Sequence, residues 1–268
     1  MFDALRHKGY QVEFHSHAAA ILGVDFPDAA QQLESVLVHA TIPIEEIIAG
    51  GGGEAKGTQR LRKGLSAHGW KTKTFKVVKS INDVPRGSVS HKMDHVREFE
   101  SDGKPTALAL EIEWNNKDPF FDRDLENFKR LHADGGISVG MIVTRGRSLQ
   151  DNMRALVRRF CDDRQIRTFA DLRQWGYGPT PKQQAAIEKQ IQRGRDFREA
   201  FVDKFVSDKF GEATTHWRKL EDRIRRGVGN PCPLVLIGLP DTIVTFGEDP
   251  TVVHKLIEEA QADFFSAG

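Results

Sequence analysis

Three acidic residues have types and spacing that could bind a divalent cation. Glu111 and Glu113 end the apolar run 107–114, which is short and bounded by turn signals, as expected for a buried strand. Side chains alternate across a strand, so these two carboxylates are predicted to share one face. Asp94 lies on the preceding strand-like segment, and a hairpin between the two strands would bring it to Glu111.

Carboxylates at the end of a buried strand are costly unless they are paired or bind a cation. Three of them at one sheet edge would repel each other and raise their pKa values unless a divalent cation neutralised them. An all-oxygen ligand set suits Mg²⁺, which keeps several waters and serves phosphate chemistry. Asp94, Glu111 and Glu113 therefore predict a Mg²⁺ site.

The elements after these acids have the order of an α/β fold. The segment 122–132 has helical spacing, and the apolar run 137–143 follows as a strand predicted to lie parallel to 107–114 through a right-handed crossover. We predict a mixed sheet of about five or six strands with helices on both faces. The predicted domain is single, 1–268, with a helical insertion at about 149–230 in which 182–210 could be one long helix.

These acids, in a strand-turn-strand-helix-strand context, resemble the nuclease core written PD-(D/E)xK. Glu113 stands where the commonest form has Lys, and this resembles the BamHI variant of the core. From His15-Ser16-His17 through Gly51-Gly52-Gly53-Glu54 to the core, the chain is similar to the BglII, BstYI and BamHI group of type II restriction endonucleases. The resemblance covers roughly residues 10–145.

The resemblance implies a Mg²⁺-dependent endonuclease that cleaves double-stranded DNA at a specific sequence. Asp94 and Glu111 would hold the metal, and Glu113 would take a proton or complete a second metal site. Lys117 is an alternative for the third catalytic role, although it lies beyond the strand where the chain already turns. Glu54 begins a predicted helix. An acid in the first turn is stabilised by the helix dipole, and the alternative role is a fourth carboxylate of the site.

The composition excludes several classes of protein. The 268 residues are 39% hydrophobic and 29% charged, which is typical of a globular protein. The two cysteines are far apart, which argues against a disulfide scaffold or a zinc finger. No apolar run reaches the roughly 18 residues that span a membrane, and the N-terminus lacks a signal-peptide apolar region. We expect a cytoplasmic protein without a membrane partner.

Positive charge is concentrated in the predicted helical insertion. The net charge of the chain is only +1, but residues 151–230 contain 18 Lys and Arg against 12 Asp and Glu, and the remainder contains 21 against 26. A basic segment beside an acidic core suits an enzyme that acts on a polyanion, although a solvated helical face would look similar. The candidate contacts to DNA phosphates are Arg145, Arg147, Arg223, Arg225 and Arg226.

We also expect a homodimer. One site of this type cuts one strand, and two copies related by the two-fold axis of the DNA would cut both. Two other functions remain open from the sequence. One is a repair or structure-specific nuclease with the same core, and the other is a non-catalytic DNA-binding protein whose acidic residues are structural.

Overall fold

The computed structural model describes residues 1–49, 54–101 and 104–247. Two compact units divide the chain. The first comprises Met1–Ala40, Thr58–Gln150 and Glu212–Asp241, and the second comprises Thr41–Gly57, Asp151–Gly211 and Thr242–Gly268. The glycine loop 50–53 and the helix predicted over 251–265 lie outside the described residues.

Eight strands occur in the described ranges. They are β1 (Gln11–His15), β2 (Ile42–Pro43), β3 (Lys71–Ile81), β4 (Val84–Ser101), β5 (Lys104–Glu113), β6 (Val139–Arg145), β7 (Leu234–Leu239) and β8 (Val244–Thr245). Six of them form a mixed sheet in the first unit, in the order β1-β7-β6-β5-β4-β3. Strands β2 and β8 pair in parallel in the second unit. The predicted mixed α/β sheet is confirmed.

Eleven α-helices accompany these strands in the described ranges. They are α1 (Asp3–His7), α2 (Ala18–Asp25), α3 (Pro27–Val38), α4 (Ile44–Ile48), α5 (Lys56–Ala67), α6 (Phe120–Ala133), α7 (Arg147–Asp163), α8 (Phe169–Gln174), α9 (Pro181–Ile191), α10 (Phe197–Phe210) and α11 (Trp217–Arg225). Within the described ranges, none is long and apolar enough to cross a membrane. The residues of α8, α9 and α10 belong to the second unit, whereas α11 returns to the first. The predicted single domain with an insertion at about 149–230 stays a prediction.

Helix α6 connects β5 to β6, which pair in parallel as predicted. Its apolar side chains are buried against the sheet together with Ala107 and Ala109 of β5. The helix approaches closely at Gly140 of β6, where an added Cβ would lie 2.6 Å from the ring of Phe128. A glycine is therefore required there by packing, and the close contact fixes the distance between α6 and β6.

Two predicted elements differ from the structure. The turn expected over 82–87 is only Asn82-Asp83, both with positive φ, and β4 already begins at Val84. Such a two-residue turn matches the twist of the flanking strands and makes a tight hairpin. The single helix predicted over 182–210 is wrong. It breaks between α9 and α10 at Gly194, whose φ of +89° ends the first helix, before Asp196 caps the second.

Candidate active site

The β4–β5 hairpin brings Asp94 and Glu111 together. The antiparallel register pairs His95 with Leu110, so Asp94 and Glu111 are the next opposite positions. The backbone N–H of Asp94 donates to Glu111 Oε1 at 3.0 Å. Residues opposite each other in a register share a face, so both side chains lie on the side of the sheet that α6 covers. The side chain of Asp94 is exposed, whereas that of Glu111 is buried.

A second pair of carboxylates meets where α6 crosses the end of β5. Glu113 and Asp124 are 2% and 1% exposed. Glu113 Oε2 accepts a hydrogen bond from Asn116 Nδ2 at 2.6 Å, and its Oε1 lies 3.5 Å from Arg123 Nη2. Arg123 Nε donates to Asp124 Oδ1 at 2.7 Å. One guanidinium, itself half exposed, thus bridges two buried acids.

Burial of these acids perturbs their protonation. Desolvation raises the pKa of Glu111 from 4.5 to about 9, and the negative charges of Asp124 and Asp94 add to the shift. Desolvation also raises the pKa of Glu113, with the charge of Asp124 adding to the shift, and desolvation raises the pKa of Asp124. Asp124 Oδ2 is buried without a hydrogen-bond partner in the described part of the chain. Either protons or a cation must therefore offset the negative charge here.

The donor set fits a hard divalent cation in its chemistry. All the donors are carboxylate oxygens, and one of them is an orphaned buried oxygen. No group of three His, Cys, Asp or Glu residues within the described ranges is arranged to hold a metal ion by itself. Mg²⁺ is usually held by one or two carboxylates together with water and substrate phosphate, so an incomplete protein cage is compatible with that ion.

Asp124 was not singled out from the sequence, although a signal for it was present. It lies at helical spacing among Phe121, Leu125 and Phe128, all of which are buried. An acid on the apolar stripe of a helix is unusual, because the charge must be desolvated. Its position on the face of α6 that packs on β5 brings it to the two glutamates.

Two other sequence candidates for the catalytic site, Glu54 and Lys117, are both exposed. Glu54 is exposed, two residues before α5, and its backbone belongs to the second unit. Its role as a fourth carboxylate stays a prediction. Lys117 is exposed beyond the end of β5, where it forms an isolated bridge with Thr214.

Arg145, at the end of β6, is buried inside the first unit. Its guanidinium donates to Trp114 O at 2.7 Å, to Thr214 Oγ1 at 2.6 Å and to Thr215 O at 2.7 Å. These bonds tie the end of β5 to the segment before α11, and they favour a structural role. Arg147 is exposed and makes a bidentate ion pair with Glu221 at 2.5 and 2.6 Å. Contacts of either arginine with DNA stay predictions.

The three arginines of α11 and its C-cap differ in their surroundings. Arg223 is buried and donates to Asp122 at 3.0 Å and to Asp118 at 3.2 Å, as expected of an internal ion pair. Arg225 and Arg226 are exposed, and each pairs with an acid one turn earlier in the chain. Their contact with DNA also stays a prediction, and the acids that accompany them reduce the net charge of that surface.

Comparison with known protein families identifies the family of this chain. The family model described as Restriction endonuclease BglII/BglIII matches residues 10–239. That range contains the six-stranded sheet, α6 and all four carboxylates of the site. Among curated proteins, none matches the chain significantly.

Proposed function

Because this chain belongs to the BglII/BglIII restriction endonuclease family, a family of enzymes whose substrate is DNA, we propose that it is a type II enzyme that hydrolyses double-stranded DNA at a specific sequence with Mg²⁺ as its cofactor. The observation that supports this most is the contact of Asp94 with the buried Glu111, beside two further buried carboxylates, Glu113 on β5 and Asp124 on α6. In a purely structural role only Arg123 and bound protons would offset this negative charge, whereas a divalent cation offsets it directly.

Asp94 and Glu111 are the residues that would hold the cation. They directly follow the paired residues His95 and Leu110 on neighbouring strands, so their separation is set by the register and does not depend on a loop. Glu111 is additionally oriented by the Asp94 N–H. When bound, Mg²⁺ would polarise the scissile phosphate and lower the pKa of a water. The exposed side of this pair, at Asp94, is where the substrate phosphate would approach.

Glu113 would accept the proton of the attacking water. Asn116 and Arg123 hold its two oxygens, so its orientation is fixed before the substrate arrives. Burial raises the pKa of Glu113 toward neutrality, which suits a group that takes up and releases a proton near physiological pH. Asp124 acts through Arg123: the two bonds of that guanidinium keep Glu113 and α6 in place.

The proposal is tested by incubating plasmid DNA with the protein and Mg²⁺ and sequencing the ends of the products. We expect discrete fragments whose ends share one sequence. In the presence of a chelator, no cleavage is expected. Asp94→Asn should abolish cleavage while DNA binding is largely retained, since Asp94 is assigned to the metal. If Asp94→Asn cleaves DNA at a rate within a few-fold of the wild-type rate, the assignment of the site is wrong. Binding without any cleavage by the wild type would identify a non-catalytic DNA-binding protein, and ends without common sequence would favour a repair or structure-specific nuclease.

The enzyme is also proposed to act as a homodimer. One site neutralises one scissile phosphate at a time, and a symmetric DNA sequence can be cut on both strands by two copies. Sedimentation of the protein with the cleaved duplex should show two chains per duplex. One chain per duplex, with nicked DNA accumulating before linear DNA, would instead establish a monomer that cuts the strands in turn.

A further inference from the structure

Strands β3 and β4 continue beyond the rest of the sheet as a two-stranded ribbon. Strand β5 pairs with β4 only over His95 to Ser101, whereas β3 pairs with β4 as far as Ile81 and Val84 at the turn. In the described part of the chain, residues 76–90 therefore have no third strand beside them. We name residues 76–90 the arm. Every residue of the arm from Val78 onward is exposed.

The arm carries positive charge that is not neutralised. Lys76, Lys79 and Arg86 face a single acid, Asp83, and within the described residues none of the three makes an ion pair. The base of the ribbon adds Lys71 and Lys92, whereas Lys73 there is paired with Glu98. The helical arginines 225 and 226, in contrast, are each paired with an acid. Unpaired cations attract a polyanion more strongly than cations whose charge is already compensated.

The arm also exposes apolar side chains, which are costly to leave in water. Val78, Ile81, Val84 and Val89 are 49% to 58% exposed. Cations interspersed with exposed β-branched side chains are a surface that suits both phosphates and base edges, because apolar groups contact thymine methyl groups in the major groove. That combination favours DNA over an acidic protein surface as the partner.

The position of the arm links it to the active site. Asp94 lies on β4, the same continuous strand that leaves the sheet to form the arm. Ten residues separate Asp94 from the turn at Val84, and at roughly 3.3 Å per residue this is a reach of about 33 Å. The major groove of B-DNA is about 12 Å wide and admits a two-stranded β-ribbon. A duplex whose phosphate is at Asp94 is therefore within reach of the arm.

We infer that the arm binds the DNA duplex beside the cleaved phosphate, with Lys76, Lys79 and Arg86 on backbone phosphates and the ribbon in the major groove. The inference rests on the proposed function and deepens it, because it assigns DNA affinity to a surface outside the carboxylate site. The arm is then the principal phosphate-binding element of the first unit, in preference to the arginines of α11.

The experiment compares the wild type with the triple variant Lys76→Gln, Lys79→Gln, Arg86→Gln. Binding to a fluorescent duplex of mixed sequence is measured by anisotropy with Ca²⁺ in place of Mg²⁺, over a series of salt concentrations. Losing three phosphate contacts should reduce the slope of log K against log salt by roughly 2 to 3 and weaken binding roughly 10- to 100-fold near physiological salt. The matched control is the triple variant Lys182→Gln, Lys189→Gln, Arg193→Gln, which removes three exposed cations of the second unit and should leave the slope unchanged.

Three results would overturn the inference. An unchanged slope in the arm variant, with increased aggregation, would mean that the lysines only protect an exposed edge from pairing with other chains. An equal change in the control variant would mean a general charge effect. A shift from dimer to monomer in Val78→Ser, Ile81→Ser without DNA, at an unchanged slope, would assign the arm to a second copy of the chain. Cleavage of plasmid by the wild type is measured in parallel, so failure of the proposed function is recognised separately.

Discussion

Replacing Glu111 by Gln is expected to stabilise the metal-free protein while it abolishes cleavage. The amide keeps the shape of the side chain, and its oxygen can still accept the hydrogen bond from the Asp94 N–H. The pKa of Glu111 is raised from 4.5 to about 9, mainly by burial. At pH 7 the folded chain therefore holds a proton that the unfolded chain has released. One pKa unit corresponds to about 1.4 kcal/mol, so this proton costs up to about 3 kcal/mol of stability.

The pH dependence follows from the direction of that shift. A carboxyl whose folded pKa lies above its unfolded pKa contributes its full stability below the unfolded value, near pH 4.5, and loses it as the pH rises through about 9. The wild type should therefore lose stability relative to Glu111→Gln as the pH rises from 5 to 9. Below pH 4.5 the two proteins should be equally stable, because the carboxyl is then protonated in both states.

Urea unfolding in the presence of a chelator, at pH 5, 7 and 9, measures this difference. The same substitution at the exposed Glu100 is the control and should give no pH-dependent gap. Addition of Mg²⁺ should raise the stability of the wild type and leave Glu111→Gln unaffected, because a ligand stabilises only the state that binds it. If the difference in unfolding free energy between the wild type and Glu111→Gln stays constant or shrinks between pH 5 and 9, the argument that burial of the Glu111 charge destabilises this site is refuted.

Substitutions at three further positions test the surroundings of the site. Glu113→Lys restores the commoner form of the core and should retain some cleavage in the plasmid assay, whereas Glu113→Ala should have none. Gly140→Ala forces Phe128 and α6 away from the sheet and should cost about 1–3 kcal/mol in urea unfolding, with a loss of activity, whereas Gly87→Ala, which meets no atom within 4 Å, should be neutral. Arg223→Gln removes the guanidinium that pairs with Asp118 and Asp122, and leaves Asp118 only Lys219 at 4.0 Å. It should cost roughly 3 kcal/mol without changing the salt dependence of DNA binding, and a changed salt slope would mean that this buried arginine reaches DNA.

The sheet around the acids was predictable because its signals are local. An apolar run ending in Glu-x-Glu, a polar turn before it and a helix after it were enough to predict a hairpin, a crossover and a parallel neighbour. The hairpin is what brings Asp94 to Glu111, so their proximity followed from the strand pattern. Family resemblance supplied the expectation of DNA cleavage, which the residue types alone left open.

The remaining features depend on packing that no local pattern contains. Arg145 follows an apolar strand, and only the tertiary structure shows that its guanidinium is enclosed by backbone carbonyls. To predict Asp124 as part of the site, one would have needed to know which face of the sheet α6 packs against. The long helix predicted through Gly194 failed because apolar periodicity was given more weight than a glycine followed by a capping aspartate.

The place of β1 in the sheet has a consequence for synthesis of the protein. Val12 of β1 pairs with Ile237 of β7, and β7 also pairs with β6, so among the described strands β1 has no sheet partner until β7 has been made. At roughly 5–20 residues per second, the ribosome leaves β1 unpaired for about 10–45 s. A chain that stops before β7 cannot join β1 to the strands that carry the acids. The six-stranded sheet is therefore complete only after β7 has been synthesised.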